Sequence, residues 1–372
     1  MRRFYLDVLV EAWEQHLAPR EVNAPTVIST FAGCGGSSLG YSMAGFRELL
    51  AVEWNDNAAA TFRMNFPDVP LYHGDIRSMS IEECLRLSGA KPGELDVLDG
   101  SPPCQGFSIA GKREMDDERN QLFREYVRLL QGLRPRVLVM ENVAGMVAGR
   151  MKLIFVEILR ELRASGYRVS ARLLNAKYFN VPQSRERMIF VGVREDLGRE
   201  PSHPSAEAHP YTVRDAWSGL GSGEVLMITA GNERHTLAGR LPASGMDRPS
   251  PTLVRSGNTC VQLRQQDAPA LSPLYRRYWQ QAGQGSTVGK FNSIKRLALD
   301  RVAGTLHTMP GAPFHPIEPR AISTEERKRL GSFPESFRFP SRQSATECIG
   351  NSVPPLFMRA IASHIREHVL SG

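Results

Sequence analysis

Thr26-Val27-Ile28-Ser29-Thr30-Phe31 runs into Ala32-Gly33-Cys34-Gly35-Gly36, and that into Ser37-Ser38-Leu39-Gly40. A β-branched, apolar run of this length reads as a buried strand. The glycines that follow read as a tight turn, and Ser38 to Ala44 reads as a helix. A glycine turn between strand and helix lets a nucleotide-like ligand approach the backbone closely. The dinucleotide fingerprint G-x-G-x-x-G is not met, because the third glycine position falls on Ser38. That disfavours a nucleotide-dependent dehydrogenase.

The same alternation continues outward. Leu49 to Trp54, Val69 to His73, Leu95 to Leu98, Val137 to Met140, Val169 to Asn175 and Met188 to Val193 read as strands. Ala58 to Asn65, Ile81 to Leu87, Leu122 to Leu133 and Lys152 to Ala164 read as helices. Strand–helix alternation predicts an α/β fold with a mostly parallel sheet covered on both faces. After about Glu195 the texture changes to Gly-, Ser- and Pro-rich segments, such as Ser218 to Gly223 and Pro249-Ser250-Pro251. Apolar residues there, among them Leu226, Ile228, Tyr275 and Trp279, predict a folded lobe of short strands and long loops.

Composition narrows the function classes. The 372 residues carry 46 Lys plus Arg against 39 Asp plus Glu, a net charge of +7 that suits a polyanionic partner. The five cysteines are odd in number, widely spaced and form no Cys-x-x-Cys. A disulfide framework and a zinc site are therefore not expected, and a reducing compartment is. No apolar stretch is long enough for a membrane span. Asp7 and Glu11 interrupt the segment after Met1-Arg2-Arg3, which reads as an amphipathic helix over Arg3 to Leu17 rather than a secretory signal.

Chemistry concentrates at strand ends. Glu53, in Glu53-Trp54-Asn55, stands where a carboxylate can accept both hydroxyls of a ribose. Asp75, in Gly74-Asp75-Ile76, can accept from the exocyclic amine of an adenine. Together with the glycine turn they describe an adenosine pocket at the carboxyl ends of three adjacent strands. Leu95 to Leu98 leads through Asp99-Gly100 into Ser101-Pro102-Pro103-Cys104. Two prolines stiffen that turn. Locally, Cys104 reads either as a rigidly placed nucleophile or as a small buried hydrophobe.

In order along the chain, these motifs resemble the cytosine carbon-5 DNA methyltransferase family. They are Phe31-Ala32-Gly33-Cys34-Gly35-Gly36, Glu53-Trp54-Asn55, Gly74-Asp75-Ile76, Pro102-Pro103-Cys104-Gln105-Gly106-Phe107-Ser108, Glu141-Asn142-Val143, Gln183-Ser184-Arg185-Glu186-Arg187 and Gly350-Asn351-Ser352-Val353-Pro354-Pro355. Two departures stand out. Ser29-Thr30 replaces the family's usual Asp-Leu, and the Pro-Thr-Leu/Ile element has two candidates, Pro251-Thr252-Leu253 and the favoured Gly304-Thr305-Leu306.

The resemblance implies a Rossmann-like class I methyltransferase sheet in residues 1–195 and 321–372, with a smaller, irregular target-recognition domain in 196–320. It implies S-adenosylmethionine as cofactor, without a metal. Phe31, Gly33, Gly35, Glu53, Trp54, Asp75, Ile76, Ser101, Asn351 and Ser352 would hold it. Cys104 would add to carbon 6 of a flipped cytosine, Glu141 would protonate ring nitrogen 3, and Arg185 would assist. Gln105, Ser108, Gln183 and Arg187 would contact double-stranded DNA. The compact chain suggests a bacterial cytoplasmic, nucleoid-associated enzyme and a monomer, and either an orphan enzyme or one paired with a restriction endonuclease fits the sequence. The alternatives are an RNA (tRNA) cytosine carbon-5 methyltransferase and a catalytically inactive DNA-binding homologue.

Overall fold

The computed structural model describes residues 3–103, 118–147, 151–220, 225–229, 235–237, 254–255, 258–261, 276–277, 279–280, 282–285, 295–308 and 313–371. They divide into two compact units. One comprises Met1–Pro19, Ala176–Arg185 and Glu207–Leu356; the other comprises Arg20–Asn175, Glu186–Ala206 and Phe357–Gly372.

The second unit follows α1 (Tyr5–Leu17) in the chain and holds the main sheet. Its elements are β1 (Thr26–Thr30), α2 (Gly36–Met43), β2 (Arg47–Glu53), α3 (Asp56–Asn65), β3 (Leu71–His73), α4 (Ile81–Ser88) and β4 (Val97–Gly100). They continue as α5 (Glu118–Leu133), β5 (Val137–Val143), α6 (Met151–Ala164), β6 (Tyr167–Asn175) and β7 (Glu186–Arg194). The seven strands lie in the order β3-β2-β1-β4-β5-β7-β6. The first five are parallel, and β7 runs antiparallel to both its neighbours.

The expected alternation is present, with shifted ends. β3 covers only Leu71–His73, and β5 runs on through Glu141 to Val143 because β7 pairs with it that far. Central strands are buried on both faces: Val27, Ile28, Val97, Leu98 and Val137 to Met140 have no exposed surface. Leu129, Leu130 and Leu133 of α5 pack against that core, as helix-spaced apolar residues should.

Two further acids of this sheet, the buried Asp99 and the half-buried Glu48, did not stand out in the sequence. Asp99 on β4 accepts from the Tyr41 hydroxyl at 3.2 Å, and Ser38 donates to Glu48 Oε1 at 2.9 Å. Both donors lie on α2, the helix that follows the glycine turn. Glu48 Oε2 is enclosed without a hydrogen-bond partner. Burial, tempered by the Ser29 and Ser38 hydroxyls, pushes the Glu48 carboxyl up to about 7. Burial and the neighbouring Glu48 push Asp99 well above the carboxylate range.

In the first unit, Tyr5 of α1 donates to the Arg329 carbonyl at 2.6 Å and lies against the Tyr211 ring. Arg329 is 2 % exposed and ion-pairs with the buried Glu335. Four short antiparallel strands form a second sheet: β8 (Val225–Thr229), β9 (His235–Leu237), β10 (Val254–Arg255) and β11 (Asn258–Val261), in the order β10-β11-β8-β9. This sheet falls within the stretch whose composition predicted short strands. Among the described residues, no helix is long and apolar enough to cross a membrane.

Glu48 gives a pH test. Its folded carboxyl, near 7, titrates above its unfolded value near 4.5, so the folded state holds the extra proton between those limits. Its contribution is therefore complete below about pH 4.5 and is lost as pH rises through 7, a swing on the order of 3 kcal/mol. Glu48→Gln should flatten this falling limb. Urea unfolding at several pH values, compared between wild type and variant, measures it; parallel curves would refute the assignment.

Candidate active site

The carboxyl edge of the main sheet carries the site. β1 ends at Thr30, and Phe31 then takes φ of +54°, a left-handed conformation unusual for a side-chain-bearing residue. Such strain persists only where the surroundings impose it. Gly35, at φ +94°, allows the turn to pack: a Cβ there would lie 2.3 Å from the Phe66 ring.

The Glu53 carboxylate, nearly buried, draws this turn to the end of β2. Oε2 accepts from the Gly33 amide at 2.7 Å, and Oε1 accepts from the amides of Trp54 and Asn55 at 3.0 and 2.8 Å. A carboxylate offers about four acceptor positions, so acceptor capacity remains for a ligand hydroxyl. Trp54 beside it is 73 % exposed, a bare aromatic face at a strand end. A Cβ at Gly33 would meet nothing within 4 Å, so the backbone there faces open space. An exposed ring, a fixed carboxylate and an open glycine backbone fit an adenosine-bearing cofactor.

After β3, Asp75 caps a short 3-10 turn, Ile76–Ser78. Its Oδ1 accepts from the Arg77 amide at 2.9 Å, while its Oδ2 accepts from Arg77 Nε and Nη2 at 2.9 and 2.6 Å. Hydrogen bonding to Arg77 holds its carboxyl below the usual range. Ile76 is buried.

The candidate reacting residues lie at the ends of β4 and β5. These strands pair in parallel with Gly100 opposite Met140, so the chain leaves them side by side at Ser101 and Glu141. Asn142 Nδ2 then donates to the Pro102 carbonyl at 3.1 Å, tying the Pro-Pro turn to β5. Cys104, Gln105 and Ser108 lie outside the described residues.

Glu141 pairs with Ile189 across the β5–β7 ladder. Arg187, two residues from Ile189, is therefore the diagonal neighbour of Glu141 on the same face, within reach of long side chains. Arg187 Nε meets Glu141 Oε1 at 2.5 Å, with both side chains largely buried. The structure thus brings Glu141 together with Arg187.

Arg185 and Gln183 belong to the other unit. Arg185 is 1 % exposed and donates from Nη1 to the Leu306 carbonyl at 3.4 Å. Gln183, also 1 % exposed, accepts from the Leu306 amide at 3.0 Å and donates to the Leu330 carbonyl at 3.3 Å. Thr305 donates to the Ser184 carbonyl at 2.8 Å. Gly304-Thr305-Leu306 is thus joined to the Gln183–Arg185 segment, while Pro251-Thr252-Leu253 lies outside the described residues.

In that same unit, helix Arg342–Asn351 ends with Asn351 exposed and the Ser352 hydroxyl donating to the Cys348 carbonyl at 2.6 Å. A Cβ on Gly350 would fall 2.8 Å from the His307–Thr308 backbone. Among the described residues, no cluster of three His, Cys, Asp or Glu side chains could hold a metal.

A mixed seven-stranded sheet whose first five strands are parallel, with a fixed carboxylate, an exposed ring and an open glycine turn at its carboxyl edge, is the Rossmann-like methyltransferase fold. The chain belongs to the C-5 cytosine-specific DNA methylase family, whose sequence model matches residues 25–367. It is a DNA cytosine-5-methyltransferase.

It is 32% identical to the type II methyltransferase M.XorII of Xanthomonas oryzae pv. oryzae, over 92% of this chain and 84% of that protein. It is 34% identical to M1.HphI of Haemophilus parahaemolyticus, over 91% and 86%. A prophage-encoded protein of E. coli, described as a DNA modification methyltransferase, superposes with a TM-score of 0.72 at 25% identity, over 94% and 100% of the two chains. Spodoptera frugiperda DNMT2 shares the fold, with a TM-score of 0.58 at 16% identity over 90% and 98%.

The two arginines should separate experimentally. Arg185→Met removes a buried donor and should lower stability by about 2 kcal/mol or more. Arg187→Met should cost about 1 kcal/mol of stability but reduce methyl transfer roughly 100-fold. Denaturant unfolding and initial methylation rates test both; the reverse pattern would contradict the pairing.

Proposed function

We propose that the enzyme methylates carbon 5 of a flipped cytosine within a specific double-stranded DNA sequence, through a covalent adduct of Cys104 at carbon 6. The observation that carries this reading is the Glu141–Arg187 pair, beside the turn that Asn142 ties to β5. When bound, S-adenosylmethionine supplies an electrophilic methyl group on sulfur. Phe31, Gly33, Gly35, Glu53, Trp54, Asp75, Ile76 and Ser101 would line its pocket, with Asn351 and Ser352 at the methionine end.

Carbon 5 of cytosine is a weak nucleophile, and covalent addition at carbon 6 changes that. The Cys104 thiolate donates an electron pair to carbon 6. Electron density moves through the ring towards nitrogen 3 and the carbonyl oxygen, and carbon 5 gains enamine character. Glu141 shares a proton with nitrogen 3 as that charge develops. The ion pair with Arg187 shows where the guanidinium stands, at the Glu141 carboxylate. We assign to Arg187, in place of Arg185, the contact with the cytosine carbonyl oxygen. Gln183 and Arg185 would act by fixing the Gly304-Thr305-Leu306 segment. Carbon 5 would then take the methyl group as its bond to the cofactor sulfur breaks, and loss of the carbon-5 proton to water would re-form the 5,6 double bond, expel the thiolate and return the nitrogen-3 proton to Glu141.

Base flipping is required, because carbon 6 is shielded in the stack. Gln105 and Ser108 would face the DNA, and residues 196–320 would read the sequence. The similarity to type II methyltransferases supports a modification enzyme of a restriction-modification system, partnered by an endonuclease. A monomer in a bacterial cytoplasm, close to the nucleoid, follows from that role.

Cys104→Ala should abolish methyl transfer while leaving the Kd for S-adenosylmethionine within about threefold, since the thiol serves only the base. Isothermal titration and a radiolabelled methyl assay measure the two. The same assay on duplex DNA and on tRNA decides the substrate: transfer to tRNA alone would overturn the DNA reading.

A further inference from the structure

We propose that Arg128 of α5 is a cofactor-positioning residue, holding the Asp75–Ile76 turn in the shape that meets an adenine. The proposal rests on the reading of Asp75 and Ile76 as the adenine-facing residues.

This turn has little support of its own. β3, which delivers it, is three residues long and lies at the edge of the sheet. The turn holds two backbone hydrogen bonds, Ser78 N to the Asp75 carbonyl at 3.0 Å and Met79 N to the Ile76 carbonyl at 3.2 Å. Arg128 reaches it from α5. Nη2 donates to the Ile76 carbonyl at 3.1 Å and to the Met79 carbonyl at 2.8 Å, gripping both ends of the closing bond. Its Nε donates to Glu125 Oε2 at 2.7 Å, which fixes the guanidinium plane. Glu82 and Cys84 of α4 also face its charge.

A charged donor on two carbonyls is stronger than a neutral one, and one planar group can satisfy both in a single orientation. A lysine could carry the charge but could not keep the Glu125-fixed fork. The helix bearing Arg128 is anchored in turn. The Tyr126 hydroxyl, fully buried, lies 3.1 Å from the carbonyls of both Leu98 and Val139, on the strands that lead to the Pro-Pro turn and to Glu141. α5 therefore joins the adenine-facing turn to the two strands of the reacting end. Arg128 belongs to none of the sequence motifs, because the carbonyls it holds lie 52 and 49 positions away in the chain.

Calorimetric titration of S-adenosylhomocysteine into wild type, Arg128→Ala, Arg128→Lys, Asp75→Ala and the Asp75→Ala/Arg128→Ala double variant tests this, with methylation kinetics alongside. Arg128→Ala should raise Kd by about tenfold and raise the S-adenosylmethionine KM to match. Its kcat at saturation and its KM for DNA should stay within about twofold. In the Asp75→Ala background the second substitution should add little, because both act on one contact. An unchanged Kd, or full additivity with Asp75→Ala, would overturn the proposal. Should Arg128→Ala fail to fold, Arg128→Lys decides: a raised Kd at an unchanged Tm supports the role, and a wild-type Kd sinks it. Failure of wild type to bind S-adenosylhomocysteine at all would instead overturn the cofactor reading itself.

Discussion

One hydrogen bond, Asn142 Nδ2 to the carbonyl of Pro102, ties the Pro-Pro turn to β5, and the proposed reacting end depends on it. Parallel pairing of β4 with β5 already sets their ends side by side, one strand spacing apart. A loop leaving a strand can still swing. The two prolines remove most of that freedom, and Asn142 removes more by holding the turn against β5. The chain entering Cys104 and the carboxylate of Glu141 are thereby referred to a single rigid edge. β7 completes the frame. Its antiparallel register with β5 places Arg187 diagonally across from Glu141, so the pair follows from backbone pairing rather than from loop placement.

The cofactor end uses a different device. Glu53 gathers three backbone amides from the glycine turn and from its own strand end, which fixes a carboxylate without a side-chain cation. Beneath that turn, α2 meets the sheet through Ser38 and Tyr41, which donate to the acids Glu48 and Asp99. Raised carboxyl pKa values favour the neutral form of Asp99, and of Glu48 below about pH 7, which lowers the cost of enclosing them. The floor under the turn is a hydrogen-bonded polar layer rather than a purely apolar one.

Much of this was legible in the sequence because the chemistry sits at strand ends. Glu53 and Glu141 each follow an apolar run directly, and Gly33, Gly35 and Asp75 stand in the turns just after β1 and β3, so local pattern places each candidate at a strand end. The two arginines were not separable that way. Arg185 and Arg187 are two positions apart, which puts both on one face of an extended chain. What separates them is long-range: Arg185 precedes β7 and is buried against Leu306, whereas Arg187 lies within β7, opposite β5. Gln183, expected to contact DNA, is buried in this structure. Its burial depends on the segment around Leu306, more than 100 residues on, to which no local pattern points. Glu48 was hidden in a strand pattern whose period assigned it no partner.

The central claim is that Cys104 attacks the ring while Glu141, set by Arg187, receives the developing charge. A duplex carrying 5-fluorocytosine at the target position tests it directly, because fluorine at carbon 5 blocks the final elimination. With S-adenosylmethionine present, a denaturation-resistant protein–DNA adduct should accumulate, and peptide mass spectrometry should map it to Cys104. An adduct on another residue, or none at all from an enzyme that fully methylates ordinary cytosine, would contradict the account.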